Sequence, residues 1–369
     1  MYSILKTNSL YKKKQYLLFA FLLISSCLLQ SQGIYPKKYT GSWLNNQRHG
    51  KGTCMFWNND VYEGDWEKNL MHGKGKYTFS NGDVYEGDFY LGNITGNGVF
   101  KYTNGEKYTG HLTNGIYTGS GEKYFKNGNH YKGEWTDGEI TGKGSMVLAN
   151  NDSCNGLWYN GKRQGLGVFY GHDGEKYEGE WYNDKFHGYG EHITPTGESY
   201  KGNYLNDKKN GDGWWKNAAG DTYDGKWEQN KYHGYGLLNL STGEKYEGNF
   251  VHGKYEGEGE LVLPDKTRIT GTFKNGKPEG ECRLTKADNT FYVGEFDNGK
   301  YEGQGTLWLP NGEMYKGEFK NGEFNKYGEY YYANGNVYRG IWWNNHRYGL
   351  GKVYDSNGNV IESEKLIKR

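Results

Sequence analysis

From Tyr62 the chain reads YEGDWEKNLMHGKGKYTFSNGDV. Tyr62, Gly64 and Trp66 alternate with Glu63 and Asp65, so the first three share one face of a strand and the acids share the other. Asn69 to His72 read as a polar connection. Gly73, Gly75, Tyr77 and Phe79 then alternate again, with their apolar members on one face. Asn81-Gly82 follows as a turn, because both residues accept positive φ cheaply. The pattern predicts a β-hairpin, two strands and two turns, in 23 residues.

The same phrase returns every 23 residues from Tyr39 to Val360, giving fourteen repeats without insertion or deletion. Glycine holds the third place of all fourteen, and the fifth is Trp in seven, Phe in five, and Leu112 or Tyr204 in the others. A later Gly-x-Gly loses its first glycine only at Lys326 and its second only at Cys282. Successive hairpins are expected to continue one antiparallel sheet, stable only through neighbours. An aromatic ring lying over a glycine on the next strand covers backbone that the glycine leaves bare. On this reading Tyr62, Gly64, Trp66, Gly73 and Gly75 are packing positions. Two strands at about 4.8 Å advance roughly 10 Å per repeat, so the array reaches on the order of 130 Å. The fold class expected is all-β, an elongated, twisted single-layer antiparallel sheet.

These repeats resemble MORN repeats, whose hallmark is Tyr-x-Gly-x-Trp, then Asn-Gly, then His-Gly-x-Gly. YEGDWEKNLMHGKG, YEGEWYNDKFHGYG from Tyr177 and YDGKWEQNKYHGYG from Tyr223 carry the resemblance, which spans residues 39–360. It implies the same hairpin array. Some proteins of that family join the repeats to a lipid-kinase or methyltransferase domain, for which the repeats leave no room here.

The ends differ from the array. Lys12, Lys13 and Lys14 precede an uncharged run from Tyr16 to Leu29, the layout of a secretory signal, too short to span a bilayer comfortably. Residues 1–31 are expected to form a signal or anchor helix, 32–38 a lead-in and 361–369 a tail. Cleavage before Gln32, lipidation of Cys27 within ISSC, and an uncleaved anchor are three outcomes of one export signal. The expected location is secreted or at the cell surface, membrane-anchored if the segment is lipidated or retained. Its loss would take the formal charge from +1 to about −3, which gives no support for nucleic-acid binding.

Composition narrows the chemistry. Only 34% of residues are hydrophobic but 17% are aromatic, which excludes both an ordinary globular core and a disordered chain. Cys54, Cys154 and Cys282 fall five repeats apart, about 50 Å, whereas a disulfide needs Cα atoms within about 7 Å. They read as small apolar fillers. His49, His72, His187 and His233 precede the first glycine of Gly-x-Gly. Equivalent positions one repeat apart lie about 10 Å from each other, too far to share a zinc ion, so a structural role is expected. GKGKYT from Gly73 lacks the spacing and the following helix of a phosphate loop. Glu178 and Glu180 read as a solvated face. No catalytic residue, metal or cofactor is expected.

Function must then lie in surfaces. Second and fourth places hold eleven acids against five bases, a face that repels anionic headgroups. An aromatic groove suits an extended protein partner or self-association, with Trp135, Trp158, Trp181, Tyr204 and Trp227 as the candidate contact face. Trp gives way to Phe toward the end, which would make the groove wider or more polar-edged near Trp135–Trp227. Leu112, Cys154, Ile269 and Lys326 are expected to loosen the stack locally, and the tyrosines of Lys326 to Gly335 read as a contact surface or a capping preference. A protein-binding scaffold leads. A glycan-binding surface protein and a membrane-apposed phospholipid binder are the other readings.

Overall fold

A computed structural model describes residues 36–364. Residues 1–35, with Cys27 and Gln32, and the last five residues lie outside the described residues. The chain divides into two compact parts, meeting between His172 and Asp173. Within the described residues the first holds twelve strands and the second seventeen, with no helix. In both parts the pairings are antiparallel and join strands consecutive in sequence. The all-β expectation holds.

The hairpin Val61–Glu67 with Leu70–Thr78 shows the common geometry. Tyr62 faces Tyr77, Gly64 faces Gly75 and Trp66 faces Met71. The polar connection is shorter than expected. Only Lys68 and Asn69 turn, at φ 50° and 69°, and the strand resumes at Leu70. Two consecutive positive φ values match the right-handed twist of the flanking strands, so two residues suffice.

The three glycines of this repeat have different reasons. A Cβ on Gly75 would lie 2.6 Å from Cζ of Tyr62, and one on Gly64 would lie 2.7 Å from the Lys74 carbonyl oxygen. These two form the seat over which the Tyr62 ring lies. Gly73 is not a seat. It sits at φ 58° in a bulge where Asp65 alone spans the stretch His72 to Lys74. The offset is even, so each strand keeps its faces. The bulge also explains the tyrosine. It interrupts the ladder at Asp65, and the Tyr62 hydroxyl donates to that carbonyl at 2.8 Å. All twelve leading tyrosines make the equivalent bond, at 2.8–3.3 Å. The rule that buried polar groups find partners thus selects Tyr over Phe.

Irregular repeats keep this frame rather than loosening it. Lys326 stands at a bulge, with φ 51°, not at a seat. Ile269 and Cys282 belong to one repeat and face Leu284 and Gly271 in the usual register. Without a tyrosine ring the seat opposite Gly271 is vacant, and the Cys282 side chain fills it. Cys54 and Cys154 are likewise buried. Leu112 is fully buried in the fifth-place row.

Neighbouring repeats are tied at both ends in each part of the chain. Asp60 Oδ1 accepts from the Ser80 amide at 2.7 Å, and Asn69 Oδ1 accepts from the Arg48 amide at 2.9 Å. The pairs Asp221–Ser241 and Asn230–Lys209 repeat this pattern in the second part.

Candidate interaction surface

Leading tyrosines relay contact between hairpins. Tyr62 meets Trp66 of its own repeat edge-on at 5.2 Å and Phe89 of the next at 4.9 Å. Tyr223 does the same with Trp227 and Phe250. A second ring stacks on the tyrosine from the strand just after the two-residue turn. Tyr117 lies 3.7 Å from Tyr108, Tyr255 3.8 Å from Tyr246, and Phe324 3.8 Å from Tyr315. This position was hidden in the polar connection. Where it is basic, the cation replaces the ring: Arg48 lies over Trp66 at 4.3 Å and Lys209 over Trp227 at 4.9 Å.

The five rings offered by the sequence as a contact face are consumed by this core. Trp135, Trp158, Trp181, Tyr204 and Trp227 are only 4–7% exposed. The indole N–H of Trp135, Trp158 and Trp227 donates to the carbonyl of Gly121, Gly144 and Gly213, at 3.0–3.2 Å. Their polar edges are therefore turned into the sheet, not toward a groove. Burial also pushes the Tyr204 hydroxyl well above the usual tyrosine range. A partner, or a sugar ring, would have to meet other residues.

Tyr62, Gly64, Trp66 and Gly75 lie at the packing positions described, with Gly73 in the bulge. In the tyrosine-rich stretch from Lys326, Tyr327 is exposed, while Tyr330 packs on Trp342 at 5.8 Å and donates to Glu313 at 2.6 Å.

The opposite face carries charge, much of it paired across strands. Lys51 meets Asp65 at 2.7 Å and Lys74 meets Asp88 at 2.6 Å. One hairpin breaks this rule. Ser153–Tyr159 and Lys162–Tyr170 place Asn155, Leu157, Tyr159, Leu166, Val168 and Tyr170 on that face. Among the described residues it is the one hairpin of fourteen with no formal charge at these six positions. Leu166 is 67% exposed and Tyr159 63%. Beside them an open depression of about 380 Å³ is lined by Lys143, Gly144, Gly156, Leu157 and Leu166. Its floor is bare glycine backbone. Val147, paired with Ser153, and Tyr124 carry the exposed apolar row into the preceding hairpins. The alternate residues of CNGLWYNGKRQGLGVFY spell this patch out, but only once the outer face of both strands is in register.

The MORN repeat family matches the chain in thirteen consecutive segments, from 39–61 to 315–337. The hairpin after Tyr338 falls beyond those matches yet keeps the geometry, with Tyr338 donating to the Ile341 carbonyl and Trp342 to that of Gly328. Among curated proteins, no sequence match is found. Solved structures with some likeness include the TCP domain of SAS-4 from Drosophila melanogaster, in complex with a proline-rich motif of Ana2. It is 15% identical, covers 49% of this chain and 89% of that one, and has a TM-score of 0.24. The TCP10 domain of Danio rerio CPAP is 13% identical, covering 73% and 99%, with a TM-score of 0.17. A Staphylococcus aureus virginiamycin B lyase with quinupristin is 9% identical, covering 88% and 97%, with a TM-score of 0.13. Likenesses this slight bear on neither fold nor function.

Proposed function

The chain belongs to the MORN-repeat family, and from that premise we propose that it is a non-enzymatic repeat scaffold that holds a protein partner on the outer face of the 153–170 hairpin. The observation that carries this reading is the uncharged apolar patch of Leu157, Tyr159, Leu166 and Tyr170 on a face that elsewhere bears charge. Exposed apolar area rimmed by polar residues marks interaction sites, and tyrosine is enriched where such contacts are strongest. The occupant is a protein with a matching apolar surface, and Lys143 beside Leu157 and Lys162 beside Tyr159 form the charged rim of its seat.

A photoreactive amino acid placed at Leu166 in the producing cells is expected to yield one defined protein adduct. The adduct should fall at least tenfold when Tyr159→Glu is added. An adduct to a second copy of the chain would assign the patch to self-association, and adducts to lipid alone would assign it to a membrane. Equal labelling from a probe at Glu86, on a charged hairpin, would sink the proposal.

Export is the second part of the proposed function, motivated by Lys12–Lys14 and the uncharged run Tyr16–Leu29. N-terminal sequencing of the mature protein should read from Gln32, or show a lipidated Cys27. An intact Met1 in a soluble cytoplasmic fraction would refute it.

A further inference from the structure

The stagger between hairpins brings non-equivalent positions together. The residue before each bulge reaches the first turn residue of the following hairpin. Glu256 Oε2 accepts from the Asn275 amide at 2.9 Å, Glu279 Oε2 from Asn298 at 3.2 Å and Glu302 Oε2 from Asn321 at 2.8 Å. Histidines at equivalent positions of successive repeats lie too far apart to share an ion. At one junction both of these non-equivalent positions are histidine: His233 before the bulge and His252 in the next turn, with rings 5.8 Å apart. Glu228, on the strand paired with that of His233, completes the group.

We propose that Glu228, His233 and His252 bind a divalent transition-metal ion of the zinc class and so clamp two neighbouring hairpins at their turns. Glu228 Oε2 lies 3.2 Å from His233 Nδ1 and 3.9 Å from His252 Nδ1. One ligand atom from each residue falls within 4.8 Å of the others, and this is the one such trio among the described residues. Bonds of about 2.0–2.1 Å in a tetrahedral site separate ligand atoms by about 3.4 Å, so the trio closes on an ion by small side-chain rotations. His233 Nδ1 is shielded from solvent and makes no hydrogen bond, as is Nδ1 of His72 and His187 at the equivalent place of their repeats, so the His252 side chain is what sets this junction apart. Two imidazoles and one carboxylate are the donors that zinc takes in sites with an open fourth position. All three side chains are well exposed, at 39%, 47% and 65% for His233, Glu228 and His252, so the remaining position opens to water.

The junction one part earlier in the chain supplies a comparison. His72 Nε2 lies 3.4 Å from Glu67 Oε2, but the following turn offers Leu91 where His252 stands. Two of the three ligands are present there and the third is absent.

Isothermal titration of the untagged full chain with ZnCl2 tests the site. One saturable site with micromolar or tighter affinity is expected. His252→Asn should weaken it at least tenfold. Asparagine occupies the equivalent turn position at Asn275, Asn298 and Asn321, all near φ 52°, so the turn survives this change. Glu228→Gln should weaken binding comparably, and Leu91→His should create a second site. Absence of saturable binding, or binding untouched by His252→Asn, would overturn the proposal.

Discussion

Gly236→Ala is expected to unfold its hairpin, while Gly234→Ala, two residues away, leaves it standing. The two glycines belong to one Gly-x-Gly and look alike in sequence. A Cβ on Gly236 would lie 2.6 Å from Cζ and 2.7 Å from Cε2 of Tyr223. That ring cannot retreat, because Tyr232 stacks on it at 4.0 Å while Trp227 and Phe250 stand edge-on at 5.2 and 5.3 Å. Moving the ring would also break its bond to the Lys226 carbonyl at 2.9 Å. Overpacking of a site costs about 1–3 kcal/mol, toward the upper end where the ring is fixed, and loss of the capped carbonyl adds to it. Gly234 has φ 58°, and its nearest neighbour to a new Cβ is the flexible Lys226 side chain at 3.3 Å. Its substitution costs only the left-handed penalty, about 1–2 kcal/mol. Hydrogen exchange resolved along the chain is the right measurement, since repeat arrays do not unfold as one two-state unit. Gly236→Ala should abolish protection across 222–250, and Gly234→Ala should reduce it locally. Equal effects of the two changes would refute the division into seat and bulge.

Raising the pH well above 10 should unfold the array as its buried tyrosines ionise. Burial, chiefly, pushes the hydroxyls of Tyr85, Tyr131 and Tyr246 up to about 12 from an ordinary 10. Burial raises Tyr62, Tyr108, Tyr177 and Tyr223 further. Each of these is a neutral acid whose folded value lies above its unfolded one. Its stabilising contribution is complete below pH 10 and is lost as the pH rises toward and through the folded value. A shift of two units corresponds to about 2–3 kcal/mol per ring. Each repeat is held by its neighbours, so ionisation of adjacent rings unfolds the stretch they share. Tyrosinate absorbance and circular dichroism followed together should change in parallel above pH 10. Gradual ionisation near pH 10 with the sheet signal intact would contradict the buried relay.

Much of this was legible beforehand. The period, the hairpin, the antiparallel pairing and the match of ring to glycine follow from alternation and turn residues alone. The contact face was not legible in the same way. Trp135, Trp158, Trp181, Tyr204 and Trp227 were marked by size and chemistry, yet those properties are also what a core without leucine requires. Their burial depends on the tyrosine of the neighbouring repeat. The stacking position of Tyr117, Tyr255 and Phe324 was missed because polar residues surround it and its strand start was read as part of a polar connection such as Asn69 to His72. The patch around Leu166 needed both strands of its hairpin placed side by side before six uncharged residues could be seen as one surface.

The sequence by itself determined the repeat and the hairpin, because side-chain alternation and positive-φ turn residues are local properties of the chain. Tertiary structure decided which glycine seats a ring and which carries a bulge, because glycine suits both and only the cross-strand register separates them. It also decided that His233 meets His252. Contacts between neighbouring hairpins join unlike positions, and the offset between them is set by the bulge and the sheet hydrogen bonds rather than by the 23-residue period.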